Sequence, residues 1–184
     1  MAVFVFASLA LAVMNVMLLK QNRDAKSALS KSSGATVLSP GHSVPPLHGK
    51  TAAGDEMTIS YGVDKRKTVL LIFSPGCGFC AENMPNWKRI VSSLDSRAFR
   101  IVAVSILNEG SAQYLKTNGL ANIPAITDLD PGARAKYGMN ITPETILIGS
   151  DGNIEKVWAG LFQDDDKQEI RDFLGVQLAG LSSN

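Results

Sequence analysis

Apolar residues fill positions 2 to 19, AVFVFASLALAVMNVMLL, without a single charge, and only Ser8 and Asn15 are polar. At about 1.5 Å per residue a helix of that length reaches roughly 27 Å, close to the roughly 30 Å of bilayer hydrocarbon. The pattern predicts a transmembrane anchor over residues 1–20. A core helix would carry a polar stripe at helical spacing. A cleaved signal peptide, the remaining alternative, would have a shorter apolar core and small residues before its cleavage point, where Met17, Leu18, Leu19 and Lys20 stand. Residues 21–46 are polar and Ser-rich, end in Ser39-Pro40-Gly41 and Pro45-Pro46, and predict a linker. His42 and His48 read as solvated loop histidines.

From residue 47 to about 178 short apolar runs alternate with amphipathic stretches. Met57–Ser60 predicts a short edge strand. Val69-Leu70-Leu71-Ile72-Phe73 is the unbroken apolar run of a strand buried on both faces. A Ser74-Pro75-Gly76 turn follows, then a helix to about Ser93. Phe99–Leu107 predicts a second central strand, and Ser111–Asn118 a short helix capped by Ser111 and ended by Gly119. Ala125–Thr127 is a short strand and Pro131–Tyr137 a helical turn. Thr145–Ile148 and Ile154–Ala159, joined by Ser150-Asp151-Gly152-Asn153, form a hairpin. The last helix, Asp164–Leu178, opens on three aspartates, where negative charge suits the helix dipole. Residues 179–184 are a tail. The succession implies an α/β domain with a central mixed sheet flanked by helices.

Charge divides the chain in the same place. Lys20, Arg23, Lys26 and Lys31 against Asp24 leave residues 1–46 at +3, so the rest carries −2 within an overall +1. A domain of that sign gives no electrostatic footprint for nucleic acid. With 45% hydrophobic and 19% charged residues over 184 positions, the chain has the apolar surface to fold.

Only two cysteines occur, both in Cys77-Gly78-Phe79-Cys80. Cys77 follows a buried strand and begins a helix, whose unpaired amides and dipole stabilise a thiolate. Cys77 is therefore the expected nucleophile. Cys80, one turn further on, lies within reach to close a disulfide and release a bound partner. Zinc would need two more ligands from His42 and His48, and a static disulfide across so short a loop would restrain little of the unfolded chain. Reversible redox chemistry is the reading favoured over both.

An apolar strand, C-x-x-C at a helix start and Pro85 five residues after the second cysteine resemble a thioredoxin-like fold. Met84-Pro85, Thr142-Pro143 and the following Glu144-Thr145-Ile146-Leu147-Ile148 narrow the resemblance to the membrane-anchored TlpA, ResA and DsbE (CcmG) group. So does the order of anchor, linker, G-x-x-x-P-P-L entry at Gly41–Leu47 and an extra helical insert between Asn108 and Ile123. The resemblance implies an extracytoplasmic thiol:disulfide oxidoreductase on a single-pass anchor. It would act as a reductase of protein disulfides, drawing on a membrane electron donor of the DsbD or CcdA type and needing no cofactor beyond the redox-active Cys77–Cys80 pair. It also implies that Pro143 is a cis-proline beside the disulfide, with the Thr142 backbone as the edge against which substrate pairs. Cytochrome c maturation fits the P-E-T motif, and the Ser-Pro-x-Cys-x-x-Cys start is similar to maturation factors of the methylamine dehydrogenase type.

Several positions depart from the family pattern. Gly76 replaces a frequent tryptophan, Asn83 the usual acidic residue, and Leu71 the buried aspartate of cytosolic thioredoxins. Glu144 and then Glu82 are left as candidates for proton transfer. Sidedness is contested as well, because basic residues only after the apolar segment favour a cytoplasmic carboxyl side. A soluble redox domain in the cytosol, however, has no evident need of a tether. The alternative function is a peroxiredoxin-like peroxidase, since Ser74 matches the residue three before a peroxidatic cysteine. Against it, the preceding proline of that family falls at Leu70 and no matching arginine is evident. A copper-handling module would need a wider cysteine spacing and a late histidine, and none follows His48.

Overall fold

β3 (Lys67–Phe73) runs through the middle of the fold. Val69, Leu71 and Phe73 enter one core while Leu70 and Ile72 enter another, because successive side chains of a strand leave opposite faces. Two covered faces explain a run without polar alternation. The computed structural model describes residues 38–180 together with Met14 and Met17. The predicted anchor otherwise lies outside the described residues, among which no helix is long and apolar enough to cross a membrane.

β4 (Phe99–Ser105) pairs parallel with β3, and β5 (Ala125–Ile126) parallel with β4. On the other side β7 (Glu144–Ile148) and β8 (Ile154–Ala159) add antiparallel, giving the order β5-β4-β3-β7-β8. The central mixed sheet read from the sequence is thus present. α1 (Gly78–Ser93) and α4 (Asp164–Leu174) cover the Val69 face through Met84, Trp87, Ile90, Ile170 and Leu174. The Leu70 face meets β1 (Leu47–Lys50), Ile59 of β2 (Glu56–Ile59), and Ala133, Tyr137 and Met139 in and after α3 (Pro131–Lys136).

Several boundaries differ from the sequence reading. β2, β1 and β6 (Asp128–Leu129) form a second, antiparallel sheet, of which the sequence indicated only the edge strand. His48 belongs to β1, with Nδ1 hydrogen-bonded to Thr58 Oγ1 at 3.0 Å, so it is a strand histidine and not a loop one. Residues 38–46, read as linker, are pinned to the hairpin of β7 and β8: the Gly41 N–H donates to the Ile154 carbonyl at 2.8 Å, the Val44 N–H to the Gly152 carbonyl at 2.9 Å, and the Val44 side chain is buried. α2 (Ser111–Thr117) is capped by Gly110 in the left-handed region (φ 77°), since the Ser111 hydroxyl is drawn instead to Ser105 Oγ and the Leu107 carbonyl. α4 stops four residues early, because Gly175 (φ 69°) takes the left-handed conformation that glycine adopts freely. Val176 and Leu178 are then buried from an irregular segment.

Candidate active site

The carboxyl end of β3 delivers Ser74, Pro75 and a left-handed Gly76 (φ 78°) ahead of Cys77, which is the N-cap of α1. The Cys80 N–H, a free amide of the first helical turn, donates to Cys77 Sγ at 3.1 Å. The two cysteines form a disulfide with a Cα–Cα distance of 5.2 Å, ordinary for such a bond. Their environments differ. Cys80 is fully buried in the core under α1, whereas Cys77 is half-buried at the rim. An incoming group therefore reaches Cys77 first.

The Thr142–Pro143 peptide bond is cis. It places the Thr142 carbonyl oxygen 3.5 Å from Cys77 Sγ and Thr142 Oγ1 3.0 Å from Ser74 Oγ, tying the loop before β7 to the one after β3. The Gly160 N–H donates to the Pro143 carbonyl at 2.7 Å, so the far end of β8 secures the same loop. Ser74, the residue that suggested a peroxidase, spends its hydroxyl on Thr142.

Glu144 opens β7 between Ile72 and Ala159 and is only 5% exposed. Its Oε2 has no hydrogen-bond partner among the described residues, and burial raises its carboxyl pKa to about 7. Thr145 and Leu147 face α1, so strand alternation sends Glu144 with Ile146 to the opposite face, away from Cys80. Glu82 is exposed on α1, and its neighbour Asn83 takes the buried position one turn beyond Cys80. Asn83 Oδ1 accepts from the Phe162 N–H at 3.4 Å and from Asn86 Nδ2 at 3.1 Å, which fixes α1 to the segment before α4. The helix next to Cys80 is thus held by a neutral amide.

Leu107 and Ile141 escaped the sequence reading. Leu107 was read as the end of a strand, but β4 stops at Ser105 and Leu107 stands half in solvent. The serines at 105 and 111 are the only sign in the sequence of the loop that holds it.

The redoxin family model matches residues 39–174. The chain belongs to the redoxin family. Among curated proteins it is 24% identical over 116 residues to sporulation thiol-disulfide oxidoreductase A of Bacillus subtilis (strain 168), covering 60% of this chain and 68% of that one. The fold matches the crystal structure of StoA from Bacillus subtilis (TM-score 0.53, 23% identity, 70% of this chain and 98% of that one). It also matches a thiol:disulfide interchange protein from Chlorobium tepidum TLS (TM-score 0.58, 22% identity, 74% and 97%). This redoxin is a thioredoxin-like thiol–disulfide oxidoreductase of the TlpA, ResA and DsbE type, and Cys77–Cys80 is the disulfide its fold presents.

Proposed function

We propose that this redoxin reduces protein disulfides outside the cytoplasm, tethered to the membrane through residues 2–19 and re-reduced by a membrane dithiol donor of the DsbD or CcdA type. Maturation of cytochrome c or of another redox enzyme is the setting that fits best. The observation that carries the reading is the asymmetry of the pair, with Cys77 half-buried over Thr142 and Cys80 enclosed. In the dithiol state the Cys77 thiolate attacks one sulfur of a substrate disulfide and the other leaves as a thiolate. The Cys80 thiolate then attacks Cys77 Sγ, closing the internal disulfide and freeing the second substrate sulfur. Two electrons pass to the substrate, two protons end on its thiols, and no further cofactor takes part.

Substrate pairs along the Thr142–Pro143 edge. Two carboxylates are the candidates for proton transfer: Glu144, at the sheet end beside Pro143 and able to hold a proton near neutrality but turned to the face away from Cys80, and Glu82, exposed on α1.

In cells, Cys80→Ser is expected to accumulate mixed disulfides that a reductant releases, and Cys77→Ser to form none. Equal behaviour of the two variants would overturn the proposal. The potential of the pair fixes the direction: a value near about −270 mV marks a reductant and one near −120 mV an oxidant.

A further inference from the structure

We infer that the hydrogen bond between the Ser74 and Thr142 hydroxyls is a clamp that keeps the cysteine pair reducing, because it holds the Thr142 carbonyl against the Cys77 sulfur. Ser74 is thus a positioning residue, acting on Cys77 through Thr142. The inference deepens the proposed function above and rests on it for the direction of electron flow.

Ser74 grips both sides of the contact it sets. Its Oγ lies 3.0 Å from Thr142 Oγ1, joining residues 68 positions apart in the chain. Its carbonyl accepts from the Cys77 N–H at 3.3 Å. Between these two grips the Thr142 carbonyl oxygen stands 3.5 Å from Cys77 Sγ. Ser74 itself is buried at the end of β3, so the clamp is mounted on the central strand and not on a loop tip. The Gly160 N–H fastens the neighbouring Pro143 carbonyl to the end of β8 at 2.7 Å, but that bond does not reach towards Cys77.

Two dipoles oppose one another at Cys77 Sγ. The Cys80 N–H, 3.1 Å away, presents hydrogen and favours a thiolate. The Thr142 carbonyl presents the negative end of its dipole, disfavours a thiolate and can accept from a thiol. Formal charge does not settle the balance. Residues 74–80 and 140–143 carry none, and residues 106–110, which pack against Pro75 through Gly110, carry only the exposed Glu109. Glu82 is exposed on α1, and Glu144 is turned to the other face of the sheet. With no lysine or arginine in these three segments, the distance of one carbonyl has leverage on the Cys77 thiol.

That leverage has a direction. A thiolate stabilised in the dithiol state makes a pair more oxidising, since the reduced form is then held. A carbonyl clamped beside Cys77 works the other way and favours release of electrons to a substrate disulfide. Losing either hydroxyl frees the Thr142 carbonyl to withdraw, leaving the Cys80 N–H unopposed.

The test follows iodoacetamide alkylation of the reduced full-length chain in detergent against pH, since the rate reports the thiolate fraction of the accessible Cys77. Ser74→Ala is expected to lower the apparent Cys77 pKa by about one unit. It should also move the exchange equilibrium with dithiothreitol at pH 9 about tenfold towards the reduced chain, equivalent to about 30 mV. Thr142→Val removes the other hydroxyl, keeps the carbonyl and should do the same; the double variant should go no further, and Ser74→Thr should restore the parent values. An unmoved pKa in the single variants, or shifts that add in the double variant, would overturn the inference. If Ser74→Ala does not fold, Thr142→Val alone decides by the same two readouts. Failure of the parent dithiol to reduce an oxidised cystine peptide would instead overturn the redox reading, whereas the thiol titration needs no substrate and still judges the clamp.

Discussion

Glu144 is the residue whose chemistry least resembles its free form. Its register opposite Ile72 and Ala159 buries a carboxyl whose Oε2 finds no partner, so the neutral form is favoured and the pKa rises from 4.5 to about 7. In the unfolded chain the same group ionises near its ordinary value. Between the two the native state binds the extra proton, so the contribution of Glu144 to stability is intact below about pH 4.5 and is lost as pH rises towards 7. A shift of that size corresponds to about 3 kcal/mol. Urea unfolding of the oxidised chain at pH 5 and pH 8 should show Glu144→Gln removing most of this loss and exceeding the parent at pH 8. Equal pH slopes in the two would refute the assignment. The sequence made the cysteines legible through their spacing, but a glutamate after proline is indistinguishable from a surface carboxylate until strand register buries it. Leu107 was hidden for the converse reason, because an apolar residue at the end of an apolar run reads as buried.

At the scale of elements, α1 is anchored to the sheet by one buried polar contact, the Trp87 Nε1–H donating to Thr145 Oγ1 at 2.9 Å. Thr145 lies beside Leu71 in β3, so this bond sets the height of the active-site helix against the strand that carries the cysteines. Thr145→Val keeps the shape and strands the indole N–H, which should cost about 1–3 kcal/mol in unfolding free energy. A loss below a few tenths would mean that α1 is held by packing alone. β3, β4 and the hairpin of β7 and β8 were legible because each is long enough for burial to mark it. β5 and β6 have two residues each and are defined by their partners, and Gly49 shows how closely they pack: a Cβ there would run into Ile126 Cγ2 and lie 2.6 Å from the Asp128 carbonyl. No local pattern announces such an approach.

For the whole molecule, sidedness decides whether the chemistry can run in the proposed direction. The cytosol keeps thiols reduced, whereas disulfides awaiting reduction persist outside it. Lys20, Arg23, Lys26 and Lys31 follow the apolar segment and would by charge alone hold residues 38–180 inside. The redox reading requires the opposite. The cysteines themselves can report the answer, since Cys77 is half-buried and is the sole cysteine in a Cys80→Ser variant. A membrane-impermeant maleimide applied to intact spheroplasts expressing that full-length variant, after mixed disulfides are released with a mild reductant, is expected to label Cys77 without lysis. Labelling that appears only after lysis would place the active site in the cytosol. The basic segment would then orient the chain, and the extracytoplasmic proposal would fall although the exchange chemistry at Cys77 and Cys80 stood.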